Sequence, residues 1–296
     1  MLAHQITALP EKNLPARPFS SDPNTAPITV LGLPFDNLTL ADSLDRIETM
    51  IASGRPHYVA TANVDFVVRA GRDLHFRRAL LGADMILCDG TPLVWASRLL
   101  GAPLRERVAG SDLVPPLLKL AAEKNYRVFF LGTTPEINTR AVANVRKQFP
   151  GIVVEGYSPP FRPLPEMDHE DVARRVQSAR PHILLVAFGS PKAEQWMEAQ
   201  HERLGVPVIV GVGATVDFLA GHVKRAPLWM RRSGLEWIFR LLQEPRRLFR
   251  RYVTDLWHFG FAFSRAWWRS KSSSPSTSLS FSTTQPDTAQ EKEPLS

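Results

Sequence analysis

PHILLVAFGSPKAEQWMEAQHERLGVPVIVGVG, residues Pro181–Gly213, holds two near-continuous apolar runs with an amphipathic segment between them. Ile183–Phe188 and Val208–Val212 lack the polar alternation of half-exposed strands, so they read as strands buried on both faces of a parallel sheet. Pro191–Arg203 reads as the helix that joins them, with Ser190 and Pro191 suited to its start. A strand–helix–strand unit of this kind implies a right-handed crossover between parallel strands.

The same alternation extends toward the N-terminus. Further strands are expected at Ile28–Leu33, His57–Thr61, Met85–Cys88, Arg127–Leu131 and Ile152–Glu155. Helices are expected between them at Leu40–Ala52, Asn63–Ala70, Pro92–Leu100, Leu113–Lys124 (capped by Ser111 or Asp112), Pro135–Gln148 and Glu166–Ser178. The fold class is therefore α/β, a doubly wound, mostly parallel sheet. In such sheets ligands sit at the carboxyl ends of the strands. The polar residues there are Thr61 and Asn63, Asp89 and Gly90, Gly132 to Thr134, Gly189 to Lys192, and Gly211 to Asp217.

The chain has 296 residues, and both ends are expected to be unstructured: residues 1–26 are proline-rich with little apolar periodicity, and 270–296 are almost entirely polar. No basic start followed by an apolar run marks a secretory signal. The single cysteine, Cys88, excludes an internal disulfide and fits a reducing compartment. The net charge of +7 favours nucleic acid, anionic lipid or phosphorylated substrates. Zinc-finger spacing, an RNP-like aromatic strand and a clear helix-turn-helix are all missing, so nucleic acid is not an expected partner.

The charge is concentrated late. Between Gly221 and Tyr252 stand nine Lys or Arg against two acids, Glu236 and Glu244, with aromatic residues threaded among them. Beyond Pro245 a helix is expected from Arg246 to about Arg269. Its apolar residues cover too much of the circumference for an exposed soluble helix. Asp255, His258 and Arg265 interrupt it too often for a membrane span. An interfacial helix on an anionic membrane fits this pattern; a helix packed on the core or on another subunit is the alternative. Four parts follow: an N-terminal segment (1–26), a catalytic domain (27–221), a basic amphipathic appendage (222–269) and a tail (270–296).

Asp89 follows a buried strand, and Gly90 allows a tight turn behind it, so its carboxylate is placed to act as a general base or, alternatively, to cap the next helix. Thr61 and Asn63 offer hydrogen bonds to a sugar, and Asn63 is equally suited to N-capping. Arg107 offers a planar guanidinium for phosphate, or is simply a surface arginine. The G-x-G of Gly211–Gly213 lacks the third glycine of a dinucleotide fingerprint but suits backbone approach to a phosphate. Asp168-His169-Glu170-Asp171 superficially looks like an acidic metal motif and fits better the start of a solvated helix.

Taken together these segments resemble the WecG/TagA/CpsF glycosyltransferases, glycosyltransferase family 26. The similarity rests on Thr61-Ala62-Asn63, Asp89-Gly90, ERVAGSD (Glu106–Asp112), FGSPKAEQW (Phe188–Trp196), GVGATVDFLAG (Gly211–Gly221), KRAP (Lys224–Pro227) and GLEWIFRLLQEPRR (Gly234–Arg247), in order, over about residues 28–255. The resemblance implies a Rossmann-like core with a C-terminal basic amphipathic helical appendage. It implies an inverting, metal-independent enzyme without cofactor, at the inner face of the plasma membrane. That enzyme would move a sugar (N-acetylmannosamine, its uronic acid, or a hexose such as glucose) from a UDP-sugar to a polyprenyl-diphosphate-linked sugar in surface polysaccharide synthesis.

By the same resemblance Asp89 is the catalytic base. Thr61, Asn63, Gly90, Arg107, Gly132, Gly189, Pro191, Glu194, Gly213 and Asp217 bind substrate, and Arg240, Arg247 and Arg250 reach over the site. The family usually carries glutamine where this chain has Ala193. That departure leaves open a membrane-docked nucleotide-sugar binder with reduced or no turnover. A homo-oligomer is a further expectation.

Overall fold

Leu31 and Gly32 take left-handed backbone angles (φ 50° and 83°) and fold the expected strand Ile28–Leu33 back on itself. The result is an antiparallel hairpin of β1 (Ile28–Val30) and β2 (Leu33–Phe35), with Val30 paired to Leu33. A two-residue loop with both residues at positive φ is the turn that matches strand twist, and glycine is at home there. The computed structural model describes residues 26–272. The side chains of Arg232, Arg247, Arg251 and residues 269–272 lie outside the described set, as do the segments 1–25 and 273–296, on which the expectations for the two ends mainly fall.

After the hairpin come α1 (Leu40–Ser53), β3 (His57–Ala62), α2 (Val64–Ala70), α3 (Leu74–Leu81), β4 (Met85–Cys88), α4 (Thr91–Leu99) and α5 (Gly110–Lys124). Then follow β5 (Val128–Gly132), α6 (Pro135–Gln148), β6 (Val154–Tyr157), a 3-10 turn at Leu164–Glu166, α7 (His169–Ala179), β7 (Ile183–Ala187), α8 (Lys192–Leu204), β8 (Val208–Gly211) and α9 (Thr215–Leu219). Three helices close the described chain: α10 (Leu228–Arg232), α11 (Glu236–Gln243) and α12 (Pro245–Ser272).

Six strands form one parallel sheet in the order β4-β3-β8-β7-β5-β6. Successive strand residues point into two different cores. Tyr58, Ala60, Ile86, Leu184 and Ile209 meet Phe66, Phe76, Trp196 and Phe259 on one face. Val59, Leu87, Phe130, Leu185 and Val210 meet Ile47, Leu117, Ala141 and Val216 on the other. Burial on both sides is what the unbroken apolar runs require. The β4 edge is covered by the hairpin: the Asp36 N–H donates to the Ile86 carbonyl (2.9 Å) and the Ile86 N–H donates to Asp36 Oδ2 (2.8 Å). This pairing occupies an otherwise open strand edge.

Several helix ends differ from expectation. Helix α5 starts at Gly110 with Ala109 in the cap position, so neither Ser111 nor Asp112 caps it. Helix α3, unforeseen, is opened by Asp73, whose carboxylate accepts the Phe76 N–H at 3.0 Å. Helix α7 begins at His169 rather than Glu166, because Asp168 accepts the Asp171 N–H at 2.9 Å and fixes the start. The acidic run there is a helix cap, with Asp171 held by Tyr157 and by two arginines, Arg174 and Arg175.

Helix α12 packs on the core along one stripe, the alternative foreseen beside an interfacial helix. Leu248, Asp255 and Phe259 are buried, with half-buried Tyr252 and Phe263 on the same stripe, and Phe259 belongs to the core of the sheet. Positions 248, 252, 255, 259 and 263 recur at helical spacing. Phe249, Val253, Leu256, Trp257, Phe261 and Trp268 stand exposed, Trp257 at 76%. Among the described residues no helix is long and apolar enough to cross a membrane.

Candidate active site

The row of strand ends carries the expected residues. Asp89 leaves β4 with its N–H donated to the Ala62 carbonyl at 2.9 Å, which fixes its backbone beside the end of β3. Gly90 occupies the cap position of α4, and no side chain caps that helix, so the Asp89 carboxylate is not spent on capping. A Cβ on Gly90 would lie 3.7 Å from the Asn63 Cα, which brings Gly90 and Asn63 together. Asn63 does cap: its side-chain oxygen accepts the Phe66 N–H at 3.4 Å. Thr61 is buried and donates its hydroxyl to the Gly211 carbonyl at 3.0 Å, pinning β3 to β8 behind the cleft.

Arg107 is turned inward. Its Nη2 lies 2.5 Å from Asp112 Oδ2, and its Nη1 stands 3.6 Å from Asp89 Oδ1 and 3.4 Å from Glu236 Oε2. Arg225 reaches Asp112 Oδ1 at 2.5 Å, the Ser111 carbonyl at 2.9 Å and Glu236 Oε1 at 3.5 Å. Arg231 stands 3.6 Å from Asp112. Three elements remote in sequence thus meet: the end of β4, the start of α5 with its preceding loop, and the C-terminal helices. The Nε–H groups of Arg225 and Arg231 are buried without a hydrogen-bond acceptor. Among the described residues Arg107, Arg225 and Arg231 thus face Asp89, Asp112 and Glu236, and Arg240 adds a further positive charge felt at Asp89.

The Asp89 carboxyl is recessed in dense protein, although 29% of its side chain remains open. Burial pushes its pKa up to about 7; Arg107 and Arg240 pull it down, and Glu236 and Asp112 push it further up. A carboxylate that binds its proton near neutrality is matched to general-base work.

Next to this cluster a cleft of about 420 Å³ is lined by Ala214, Asp217, Phe218, His222, Val223, Arg240, Gln243 and Glu244. Asp217 and Arg240 therefore share one cavity, and Gly213 (φ 51°) turns the chain into its wall. Gly132 and Gly189 lie farther along the row, at the ends of β5 and β7, both at positive φ (109° and 76°). A Cβ on Gly132 would meet the Ala187 carbonyl oxygen at 2.7 Å, so only glycine fits that approach. Pro191 forms the cap position of α8. Glu194 is 4% exposed, and its Oε2 has no hydrogen-bond partner. Burial pushes its pKa up to about 7, against the lowering pull of its own backbone N–H and Ser190. Ala193 is buried in the core. Arg250 is exposed on α12, and the Arg247 side chain lies outside the described residues.

Asp112, Arg225, Arg231 and Glu236 were not among the expected site residues. One signal was present: Glu236 is an acid isolated within a basic stretch, a pattern that calls for a fixed cationic partner. Among the described residues no group of His, Cys, Asp or Glu is placed to hold a metal ion.

The family model described as Glycosyl transferase WecG/TagA/CpsF family matches residues 28–273. An N-acetylglucosaminyldiphosphoundecaprenol N-acetyl-beta-D-mannosaminyltransferase from Bacillus spizizenii is 34% identical over 224 residues, 75% of this chain and 85% of the relative. A protein of the same name from Staphylococcus aureus (strain MRSA252) is 32% identical over 230 residues, 76% of this chain and 88% of the relative.

Proposed function

The chain belongs to the WecG/TagA/CpsF glycosyltransferase family, and from that premise we propose that it is an inverting glycosyltransferase acting on a polyprenyl-diphosphate-linked sugar. The donor in this reading is a UDP-sugar carrying N-acetylmannosamine, its uronic acid or a hexose such as glucose. The names of the relatives favour the first.

The observation that carries the proposal is the recessed Asp89 carboxylate, uncommitted to capping and faced by arginines from the loop before α5 and from the C-terminal helices. The acceptor hydroxyl attacks the anomeric carbon from the face opposite UDP. Its proton passes to Asp89 as the new glycosidic bond forms. The bond from the anomeric carbon to the diphosphate oxygen breaks, and its electron pair leaves on UDP. Arg240 and Arg107, with Arg247 and Arg250 recruited from α12, stabilise the charge that grows there, and no metal is assigned to that task. Gly213, Gly132 and Gly189 let backbone approach the substrates, and Asp217 lines the adjoining cleft.

The exposed aromatic and apolar face of α12 with its own Arg246, Arg250 and Arg265, and the exposed Trp229 of α10, support peripheral attachment to an anionic membrane surface on the cytoplasmic side. The test is sugar transfer from UDP-sugars to a lipid-diphosphate-linked N-acetylglucosamine by the wild type and Asp89→Asn. Loss of transfer in the variant supports the base; equal rates remove it. UDP-sugar binding without transfer to any acceptor would make the protein a binder instead.

A further inference from the structure

Glu236 is an acid of the C-terminal helices that reaches the strand-end cluster. It enters from the first turn of α11 and meets two arginines from different segments, Arg107 and Arg225, at 3.4 and 3.5 Å. The same nitrogen of Arg107, Nη1, faces both Glu236 Oε2 (3.4 Å) and Asp89 Oδ1 (3.6 Å). Arg107 is held through its other terminal nitrogen, Nη2, by Asp112 at 2.5 Å, so its close contact is with Asp112 and its approach to Asp89 stays long. A guanidinium drawn fully onto Asp89 would form a charge-assisted pair, and such a pair holds a carboxylate ionised and weakly basic.

We propose that Glu236 is a positioning residue for the transfer reaction: by sharing one guanidinium nitrogen of Arg107 with Asp89, it keeps Arg107 from closing onto Asp89 and leaves that carboxylate free to accept a proton. The proposal rests on the assignment of Asp89 as base. It makes α11 part of the catalytic machinery, because the condition of the base depends on a helix that follows the sheet in sequence. The charged groups facing Asp89 are Arg107 from the loop, Asp112 from α5, and Glu236 and Arg240 from α11. Removing the Glu236 charge takes away a repulsion and releases Arg107 toward Asp89. Both effects lower the proton affinity of Asp89.

The experiment is a carbon-13 carboxyl titration of the full chain labelled at aspartate, with the Asp89 resonance identified by its loss in Asp89→Asn. In Glu236→Gln the Asp89 midpoint is expected to fall by roughly half to one pH unit. The acid limb of the transfer rate should move with it, measured with UDP-N-acetylmannosamine and a lipid-diphosphate-linked N-acetylglucosamine. An unmoved Asp89 midpoint overturns the proposal even if the rate falls, since a merely structural role would lower rate or stability alone. Should Glu236→Gln not fold, Glu236→Asp, which draws the charge back by one methylene, takes its place. A smaller downward shift then supports the proposal, and no shift overturns it. Full transfer by Asp89→Asn would sink the base assignment separately, whatever the titration gives.

Discussion

The sheet and the C-terminal helices solve opposite problems. The sheet holds Asp89 at the end of a strand buried on both faces, and its position follows from backbone pairing with β3. The helices α10 to α12 supply charge and apolar surface through long side chains, several of them exposed. Packing fixes the first region; the second is joined to it by ion pairs at Arg107, Asp112, Arg225 and Glu236 and by the buried Leu248 and Phe259 of α12. The difference teaches that the acid of the site is a property of the fold, whereas its electrostatic setting is assembled from distant parts of the chain.

The sharpest way to break that division is Asp89→Asn. Transfer is expected to fall by about 10²–10⁴-fold, the usual contribution of a general base, while vesicle binding stays unchanged. A double change on the outer face of α12, Trp257→Ser with Trp268→Ser, should do the reverse. Affinity for anionic vesicles falls by about tenfold or more in a flotation assay, with the melting temperature unaltered. Deleting 246–296 would be less clean, because Leu248 and Phe259 are core residues. On the sheet side, Gly132→Ala is expected to cost about 1–3 kcal/mol in denaturant unfolding, since the new Cβ meets the Ala187 carbonyl at a positive φ.

The smallest effect concerns pH. Asp89 binds its proton more tightly in the folded chain, near 7, than when unfolded. The folded state therefore holds more protons between the two pKa values, and stability falls as pH rises through that window. The penalty is fully present above the folded value. Asp89→Asn should melt higher than wild type at about pH 8 and gain nothing at about pH 4. Equal melting temperatures at both would mean the carboxylate is well solvated.

Legibility in the sequence followed the range of the interaction. Met85–Cys88 was readable to the residue, because a strand buried on both faces must be apolar throughout. Helix α6 was equally plain, with Thr134 accepting the Ile137 N–H and Pro135 in its first turn. The split at Leu31–Gly32 was hidden because a short apolar run does not announce a positive-φ turn. Helix α3 was masked by His75, Arg77 and Arg78, although Asp73 was a usable start signal. Of the site, Asp89 was accessible from its place after a strand. The inward turn of Arg107 was not, since it depends on Asp112 nearby and on Glu236, far along the chain. Arg225 likewise pairs with Asp112 across 113 positions. No local pattern encodes such partners.

The burial of Leu248 and Phe259 on the inner side of a helix whose outer side carries Trp257 and Trp268 has a consequence for exchange between relatives. Such an arm is not a detachable module. Transplanted onto another sheet it would bring inward-facing residues cut to fit α2, and the recipient would need a matching groove. Sequence change is thereby freest at the outward positions, while the inward ones inherit the constraints of the interior.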